Sequence, residues 1–330
     1  MPLELAIAGL SKTYPNGVQA LRDVTLTIPT GMYGLLGPNG AVKSTLMRTL
    51  ATLQEADAGS ARITTPTLAA DAASLPPKGE QFAPRDGPAA RMGTIDVLRD
   101  KEAVRARLGY LPQDFGVYPK VSAQDLLDHL ARLKGIARAE RRDVVQTLLK
   151  QVNLYDVRKK ALGGFSGGMR QRFGIAQALI GNPELVIVDE PTAGLDPEER
   201  VRFHNLLAEI GENVIVILST HIVSDVSDLC ANMAIIDRGE VLLTGAPQTL
   251  TDTLAGRVWQ KAVAREEIEA AKAALPVIAT RLAAGRTLVT AVADDAPGPG
   301  FAPIEPTLED VYFAAIARRL RERAPQPIAA

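Results

Sequence analysis

The chain has 330 residues, of which 46% are hydrophobic and 23% charged, and its formal net charge at neutral pH is -1. These values are typical of a globular protein with room for one large domain and a smaller one, and they exclude recruitment of nucleic acid by a strong positive field. The single cysteine, Cys230, excludes an internal disulfide and is compatible with a reducing cytoplasm.

The first residues lack the charged and long apolar regions of a signal peptide, and the apolar runs are too short to span a membrane. We therefore expect a soluble chain. If the protein acts on a membrane, another chain must supply the membrane-spanning part.

The N-terminal third contains short predicted strands separated by turn signals. The strands are Leu3–Ile7, Val24–Ile28 and Tyr33–Leu36. Apolar residues then recur at helical spacing, which predicts a helix that begins near Lys43. These residues are Leu46, Met47, Leu50 and Leu53.

Residues 65–93 interrupt the pattern, because they are rich in Ala, Pro and Gly and show no sustained periodicity. They predict a disordered or loosely ordered surface loop, which we interpret as a tolerated insertion. Regular structure is predicted to resume near Thr94. Residues 104–111 then read as the end of a helix that runs into a strand, before a polar turn at residues 112–114.

Two apolar stripes predict helices between Ser122 and about Tyr155. The stripes consist of Leu126, Leu127, Leu130 and Leu133, and of Val144, Val145, Leu148 and Leu149. Two unalternating apolar runs follow, Leu185–Val188 and Val214–Leu218, with a helix between them. Runs of this kind are typical of a parallel sheet that is covered on both faces.

The character of the sequence changes beyond about Gly245. A helix is predicted over 265–275, a hairpin over 277–282 and 287–292, and a Pro/Gly linker over 294–303. Thr307 and the residues after it then give a capping-box-like start to a last helix. We interpret these residues as a small separate module.

Residues 37–45, GPNGAVKST, stand between a predicted strand and a predicted helix and have the pattern of a phosphate-binding loop, with one exception. Backbone N–H groups of such a loop surround phosphates, aided by the positive end of the helix. The ammonium group of Lys43 can reach the β- and γ-phosphates, and the hydroxyl group of Ser44 can bind Mg²⁺.

The exception is Val42, which occupies a position where the pattern has glycine. The backbone passes close to the phosphates here, and valine adds a stiff, branched side chain. Two alternatives follow. Either the side chain turns away into the first helical turn and nucleotide binding survives in weakened form, or the loop cannot close on the phosphates and the site is impaired.

With these motifs the chain resembles the ATP-binding subunits of ABC transporters over residues 1 to about 245. The further motifs, in chain order, are LSKTYPNG with Tyr14, YLPQDFG with Gln113, FSGGM with Ser166, Gly167 and Gly168, VIVDE with Asp189 and Glu190, AGLD with Asp196, and ILSTH with His221. The signature is usually written LSGGQ, so its outer letters differ here while its Ser-Gly-Gly centre is intact. PTLEDVYF near the C-terminus is similar to the extension of the ABC-2 exporter type.

The resemblance implies an α/β fold, in which a P-loop NTPase core of the ABC type carries an antiparallel β-subdomain and a helical subdomain. The implied division is an ATP-binding domain over residues 1–245 and a small α+β accessory module over 246–330. The helical subdomain is expected at about 115–165, and residues 65–93 are the low-complexity insertion.

The resemblance also implies the site residues. The implied ATP contacts are Tyr14 with adenine, the loop Gly37, Pro38, Asn39, Gly40, Ala41, Val42, Lys43, Ser44 and Thr45, and Asp196. Ser166, Gly167 and Gly168 would contact the ATP held by the opposite protomer. Ser44, Gln113 and Asp189 are the implied Mg²⁺ ligands, and Glu190, His221, Gln113 and Lys43 the catalytic residues, with Glu190 as general base. His129 and His204 are interpreted as ordinary surface or core residues.

The expected function is that of an ATP-hydrolysing motor subunit. ATP closes a homo- or heterodimer, and a separate transmembrane subunit converts the motion into transport, with export favoured by the C-terminal module. The expected location is the cytoplasmic face of the cell membrane, and no nucleic acid partner is expected. The alternative is a hydrolysis-impaired regulatory subunit, because of Val42. A soluble, non-transport ABC ATPase is less favoured, because neither a second phosphate loop nor a sustained heptad repeat is present.

Overall fold

The computed structural model of the chain describes residues 2–38, 41–67 and 91–323. In these ranges the strands are β1 (Glu4–Thr13), β2 (Gln19–Pro29), β3 (Gly31–Leu36), β4 (Ala58–Thr67), β5 (Arg91–Asp96), β6 (Leu108–Leu111), β7 (Leu185–Asp189), β8 (Ile215–Thr220), β9 (Asn232–Asp237), β10 (Glu240–Gly245), β11 (Val258–Val263), β12 (Val277–Ala283), β13 (Arg286–Val292) and β14 (Ala302–Pro303). The helices are α1 (Ala41–Leu50), α2 (Lys101–Arg107), α3 (Ala123–Leu133), α4 (Arg138–Gln151), α5 (Gly167–Ala178), α6 (Pro197–Ile210), α7 (Val223–Leu229), α8 (Pro247–Asp252), α9 (Ile268–Ala274) and α10 (Leu308–Arg323).

Among the described residues, six strands form the central sheet, in the order β10-β9-β3-β8-β7-β6. Strands β9, β3, β8, β7 and β6 are parallel, and every residue of β7 and β8 is buried. The unalternating apolar runs are therefore parallel strands covered on both faces, as predicted. Strand β10 pairs antiparallel with β9 at one edge. The sequence analysis predicts neither of these two strands, because their apolar runs are short, although Gly239 gives a turn signal between them.

A second sheet near the N-terminus is antiparallel, with the order β2-β1-β4-β5. Strands β4 and β5 reach into residues 65–93, where Thr65 pairs with Gly93 and Thr67 with Arg91. The predicted boundaries of the insertion are therefore wrong at both ends, because cross-strand hydrogen bonds satisfy the backbone of residues whose side chains gave no apolar pattern. The middle of the insertion, residues 68–90, lies outside the described residues.

The helices predicted between Ser122 and Tyr155 are α3 and α4, which pack against each other. Two residues of the predicted apolar stripes do not join the core. Leu133 is 70% exposed, because it is the last residue of α3, and Leu53 is 63% exposed, because α1 ends at Leu50. Among the helices in the described ranges, none combines the length and the apolar character that crossing a bilayer requires.

The C-terminal residues form a third sheet with the order β12-β13-β11-β14. The predicted hairpin is β12 and β13, whereas β11 has no counterpart in the sequence prediction. Thr307 and Asp310 form the predicted capping box of α10, since each backbone N–H donates to the other side chain at 2.9 and 3.3 Å. Val258 and Val311 belong to the hydrophobic cluster that contains Leu218 of the central sheet. The division of the chain at residue 245 stays a prediction.

Candidate functional site

The carboxyl ends of four parallel strands meet at one edge of the central sheet. In the register of the sheet, Leu36 of β3 lies beside Thr220 of β8, and Ser219 of β8 lies beside Asp189 of β7. The end of β6 lies beside β7 in the same direction. Because parallel strands end on the same side, the segments that follow them converge. These segments carry the phosphate loop, His221, Glu190 and Gln113, respectively.

The phosphate-loop lysine points back into its own loop. The ammonium group of Lys43 donates hydrogen bonds to the carbonyl oxygens of Gly37 (2.6 Å) and Pro38 (3.1 Å), and its side chain is 3% exposed. Burial lowers the pKa of Lys43 below its ordinary value, while the nearby carboxylates of Glu190 and Asp189 act in the opposite direction. The lysine is thus a buried cation at the point where the loop surrounds its ligand. Asn39 and Gly40 lie outside the described residues.

Val42 lies in the first turn of α1, where its backbone is helical. Its partly buried side chain packs against the hydrophobic cluster that includes Leu46 and Met47. The side chain is therefore directed at least in part toward the core, and the helical backbone gives no conformational reason for glycine at this position. The reason for glycine at this position is therefore steric, because the phosphates would lie close to the backbone.

Asp189, the last residue of β7, brings a carboxylate to the helix that follows the phosphate loop. Burial raises the pKa of Asp189, and the hydroxyl groups of Ser219 and Ser44 act against that rise. The carboxylate of Asp189 and the hydroxyl group of Ser44 together offer oxygen ligands, which Mg²⁺ prefers. These two residues are therefore suited to holding Mg²⁺.

Glu190 directly follows Asp189 and contacts two other segments of the site. Its Oε1 atom lies 3.6 Å from Nζ of Lys43, and its Oε2 atom lies 2.9 Å from Nδ1 of His221. The backbone of Glu190 has a φ of 48°, in the left-handed region, and its N–H donates to the carbonyl oxygen of Ser219 at 2.8 Å. A non-glycine residue held in this region has a backbone strained by its surroundings, which is frequent at functional sites.

The structure brings Tyr14 to the phosphate-loop helix. The Tyr14 hydroxyl group is 2.9 Å from Oγ1 of Thr45 and donates to Oε1 of Gln54 at 3.1 Å. Two hydrogen bonds therefore fix the Tyr14 ring beside the middle of α1 and the residues after its end, although Tyr14 lies in a turn between β1 and β2. Gln113 is exposed in the turn after β6, at the same edge of the sheet.

Ser166, Gly167 and Gly168 lie on a different element from the phosphate loop, at the start of α5. The Ser166 hydroxyl group caps this helix by accepting a hydrogen bond from the N–H of Met169 at 3.2 Å. Gly168 leaves room for a neighbouring side chain, because a Cβ atom there would lie 2.3 Å from Oε2 of Glu199. The predicted signature is thus an exposed helix N-terminus whose second glycine is buried against α6.

Asp196 caps α6 in the same way, since its Oδ1 atom accepts a hydrogen bond from the N–H of Glu199 at 2.8 Å. The sequence analysis missed a buried group behind this helix. Asp225 of α7 is 0% exposed and bonds to side chains of α6, of the loop after β7 and of the end of β8. The available signal was an acidic residue four positions after His221, together with Arg200 and His204 at helical spacing.

Comparisons with known proteins show the family of the chain. The profile described as ABC transporter matches residues 21–193. The chain is 32% identical over 256 residues to the "Probable multidrug ABC transporter ATP-binding protein YbhF" of Escherichia coli, a match that covers 77% of this chain and 39% of YbhF. It is 32% identical over 253 residues to the "Daunorubicin/doxorubicin resistance ATP-binding protein DrrA" of Streptomyces peucetius, covering 76% of this chain and 68% of DrrA.

Solved structures show the same fold. The structure of cbiO1 from Clostridium perfringens, described as part of the ABC transporter complex cbiONQ, covers 76% of this chain and 91% of its own, with a TM-score of 0.61 and 25% identity. The dimeric structure of the ATP-binding cassette MJ0796 bound to ADP and Pi covers 73% and 98%, with a TM-score of 0.57 and 22% identity. The chain has the α/β fold of the ABC ATPases and therefore belongs to the ABC transporter family, among its ATP-binding subunits.

Proposed function

We propose that this chain binds and hydrolyses MgATP and drives transport through a separate membrane subunit. The observation that carries the proposal is the convergence of Lys43, Glu190 and His221 at the edge of the sheet where β7 ends in Asp189. A buried cation, a carboxylate beside it and an imidazole within 2.9 Å of that carboxylate are the groups that phosphoryl transfer to water requires.

Each residue has a defined task in this proposal. Lys43 exchanges its bonds to the loop carbonyls for bonds to the β- and γ-phosphates. Glu190 orients the attacking water and accepts its proton, and His221 contacts the γ-phosphate while it holds Glu190 in place. Mg²⁺ held by Ser44 and Asp189 neutralises charge on the phosphates when it is bound. In this proposal Gln113 transmits occupation of the site to the helical subdomain, and Tyr14 stacks on adenine.

The proposal includes a dimer, because Ser166 and the two glycines that follow it present a capped helix N-terminus on an element other than the phosphate loop and its helix. An N-terminus of this kind binds phosphate, and in the proposed dimer it binds the γ-phosphate on the opposite protomer. The dimeric state of the MJ0796 structure supports the proposal of a dimer. ATP then favours closure because it contacts both protomers only in the closed state.

Transport, and export in particular, is proposed from the relatives. DrrA is named as a daunorubicin/doxorubicin resistance protein and YbhF as a probable multidrug transporter protein, and cbiO1 is part of a complex with other chains. We propose that this chain likewise lies on the cytoplasmic face of a membrane, bound to a transmembrane subunit. The experiment for this part is co-purification, in which tagged chain is extracted from membranes and the bound proteins are identified.

Val42 decides between an active and an impaired motor. The contact of its side chain with the core cluster favours the active alternative, because a side chain turned toward Leu46 and Met47 leaves more room for phosphate. The alternative is a regulatory subunit with an impaired site of its own, whose Ser166 signature still serves the ATP of a partner. The missing glycine is the specific observation that favours this second function.

The experiment compares the chain with its Val42→Gly variant, using MgATP affinity by calorimetry and phosphate release at saturating MgATP. In the proposed function the two proteins bind and turn over ATP with similar constants. An affinity gain of tenfold or more in the glycine variant, about 1.4 kcal/mol, would instead support the regulatory alternative. A Val42→Ala variant is the matched control, because it shortens the side chain without the backbone freedom of glycine.

A further inference from the structure

The buried carboxylate of Asp225 bonds to three segments of the chain. The proposed reaction depends on the relative positions of these segments. Its Oδ2 atom accepts hydrogen bonds from Oγ1 of Thr192 (2.6 Å) and of Thr220 (3.4 Å). Its Oδ1 atom accepts from Nε of Arg200 (2.9 Å) and contacts Nε2 of His204 (2.9 Å). Asp225 is 0% exposed, so these protein groups replace water as its hydrogen-bond partners.

The partners of Asp225 adjoin the residues of the candidate site. Thr192 stands two positions after Glu190 and is 3% exposed, and Thr220 directly precedes His221 and is 1% exposed. Thr220 also accepts a hydrogen bond from the N–H of Ile222 at 3.0 Å, so its hydroxyl group fixes the turn around His221 from both sides. The carboxylate thus holds the two chain segments whose side chains meet in the 2.9 Å contact between Glu190 and His221.

The remaining partners of Asp225 belong to α6. Arg200 and His204 are one helical turn apart on this helix, and Arg200 also donates to Oγ of Ser224 at 2.6 Å. Helix α6 follows Asp196, which caps it. One residue before Arg200, the carboxylate of Glu199 contacts Nη2 of Arg172 on α5 at 3.3 Å. The first turn of α6 is therefore bonded to the signature helix on one side and to Asp225 on the other.

We propose that Asp225 is a positioning residue for hydrolysis, which fixes the Glu190 and His221 segments against α6. It touches no reacting atom and acts through Thr192 and Thr220. The geometry of the Glu190–His221 pair then depends on the position of α6, which is bonded through Glu199 and Arg172 to the signature helix that contacts the partner's ATP in the proposed dimer. This inference rests on the proposed function and goes beyond it, since it names the connection through which dimer closure affects the hydrolytic pair.

A misplacement of about 1 Å at a reacting group can lower a rate roughly a hundredfold. We therefore expect Asp225→Asn, which keeps the size of the side chain and removes its charge, to lower kcat by about tenfold to a hundredfold. The affinity for ATP should change less than about threefold, because no bond joins Asp225 to the part of the phosphate loop that the structure describes. Asp228→Asn is the matched control, because it makes the same chemical change at an exposed position of the same helix and should leave kcat unchanged.

Asp225→Asn leaves the partly buried Arg200 without its charged partner, which threatens folding. Thr192→Val is the second variant, because it removes one hydroxyl group with almost no change in shape. It should lower kcat, and Thr192→Ser should restore it. When Asp225→Asn and Thr192→Val are combined, kcat should fall by less than the two separate effects together, because both changes remove the same bond between Asp225 and Thr192.

Phosphate release and nucleotide affinity are measured for all variants, with thermal unfolding as the check of folding. A loss of kcat with retained affinity, rescued by Thr192→Ser, is the expected result. If folded Asp225→Asn and Thr192→Val keep the kcat of the unaltered chain, the inference is overturned while the proposed function stands. Absence of turnover in both the unaltered chain and Val42→Gly would overturn the proposed function, and this inference with it.

Discussion

Nζ of Lys43 lies 3.6 Å from Oε1 of Glu190, and the exposed fractions of the two side chains are 3% and 9%. A buried cation and a buried anion thus lie together where ATP is proposed to place its phosphates. The carboxylate of Glu190 favours the charged form of Lys43. In the proposed function, phosphate oxygens replace Glu190 as partners of Lys43, and Glu190 keeps its contact with His221 while it acts on water.

Glu190→Gln should lower the rate of ATP hydrolysis by at least about a hundredfold, because the amide cannot accept a proton from water. ATP affinity should be largely retained, since Lys43 and the loop backbone remain. The measurement is phosphate release in single-turnover conditions, together with the dissociation constant of ATP. Glu209→Gln, at an exposed position of α6, is the control for the loss of a carboxylate. Unchanged turnover in the Glu190 variant would rule out its role as the base.

Ser166→Arg should prevent closure of the dimer and leave ATP binding to the monomer intact, because the signature is proposed to serve the opposite protomer. The mass in solution with MgATP, measured in a Glu190→Gln background, reports closure without reopening by hydrolysis. Ser166→Asn is the matched control, since asparagine keeps the N-cap that Ser166 provides to α5. Loss of ATP binding by monomeric Ser166→Arg would contradict the arrangement across the dimer.

Cys230 should make folding stability fall at alkaline pH. Burial raises the pKa of this thiol from 9.0 to about 12, so the folded chain holds a proton that the unfolded chain loses above pH 9.0. The contribution is full below that pH and is lost as the pH rises toward the folded value.

The measurement is urea unfolding of the unaltered chain and of Cys230→Ala between about pH 8 and 11. The unaltered chain should lose up to about 1.4 kcal/mol more per pH unit than the variant. Tyr33, whose pKa burial also raises to about 12, contributes equally to both chains and cancels in the comparison. Parallel stability curves for the two proteins would show that the thiol titrates alike in the folded and unfolded states.

The sequence predicts those strands and helices whose apolar residues form an unbroken run or recur at a regular spacing. Strands β7 and β8 consist almost wholly of branched apolar residues, and the α3 and α4 stripes have helical spacing, so each pattern allows one structure. Strand β11 differs, because Val258, Gln260 and Lys261 neither alternate strictly nor form an apolar run. Its place is set by pairing with β13, a partner about thirty residues away in sequence, which local patterns do not contain.

The same distinction holds at the candidate site. The phosphate loop, Asp189 with Glu190, and His221 stand in short motifs whose spacing indicates their chemistry. The cluster around Asp225 has no such motif, because its members come from four segments that only the tertiary fold brings together. The interpretation of His204 as an ordinary residue shows this limit, since its ring contacts Asp225 at 2.9 Å.

The pairing of Thr67 with Arg91 has a consequence for how freely this chain can vary. The two ends of the connection between β4 and β5 are fixed as cross-strand neighbours. The strand pairing of the sheet therefore depends on those two ends and not on the sequence that connects them. The entropy cost of closing a loop grows slowly with its length, by about 0.6 kcal/mol for each doubling. We therefore expect the loop-closure cost of inserting a fluorescent or affinity module between Thr67 and Arg91 to be small. The N-terminal sheet thereby offers a labelling position that lies outside every motif of the proposed motor.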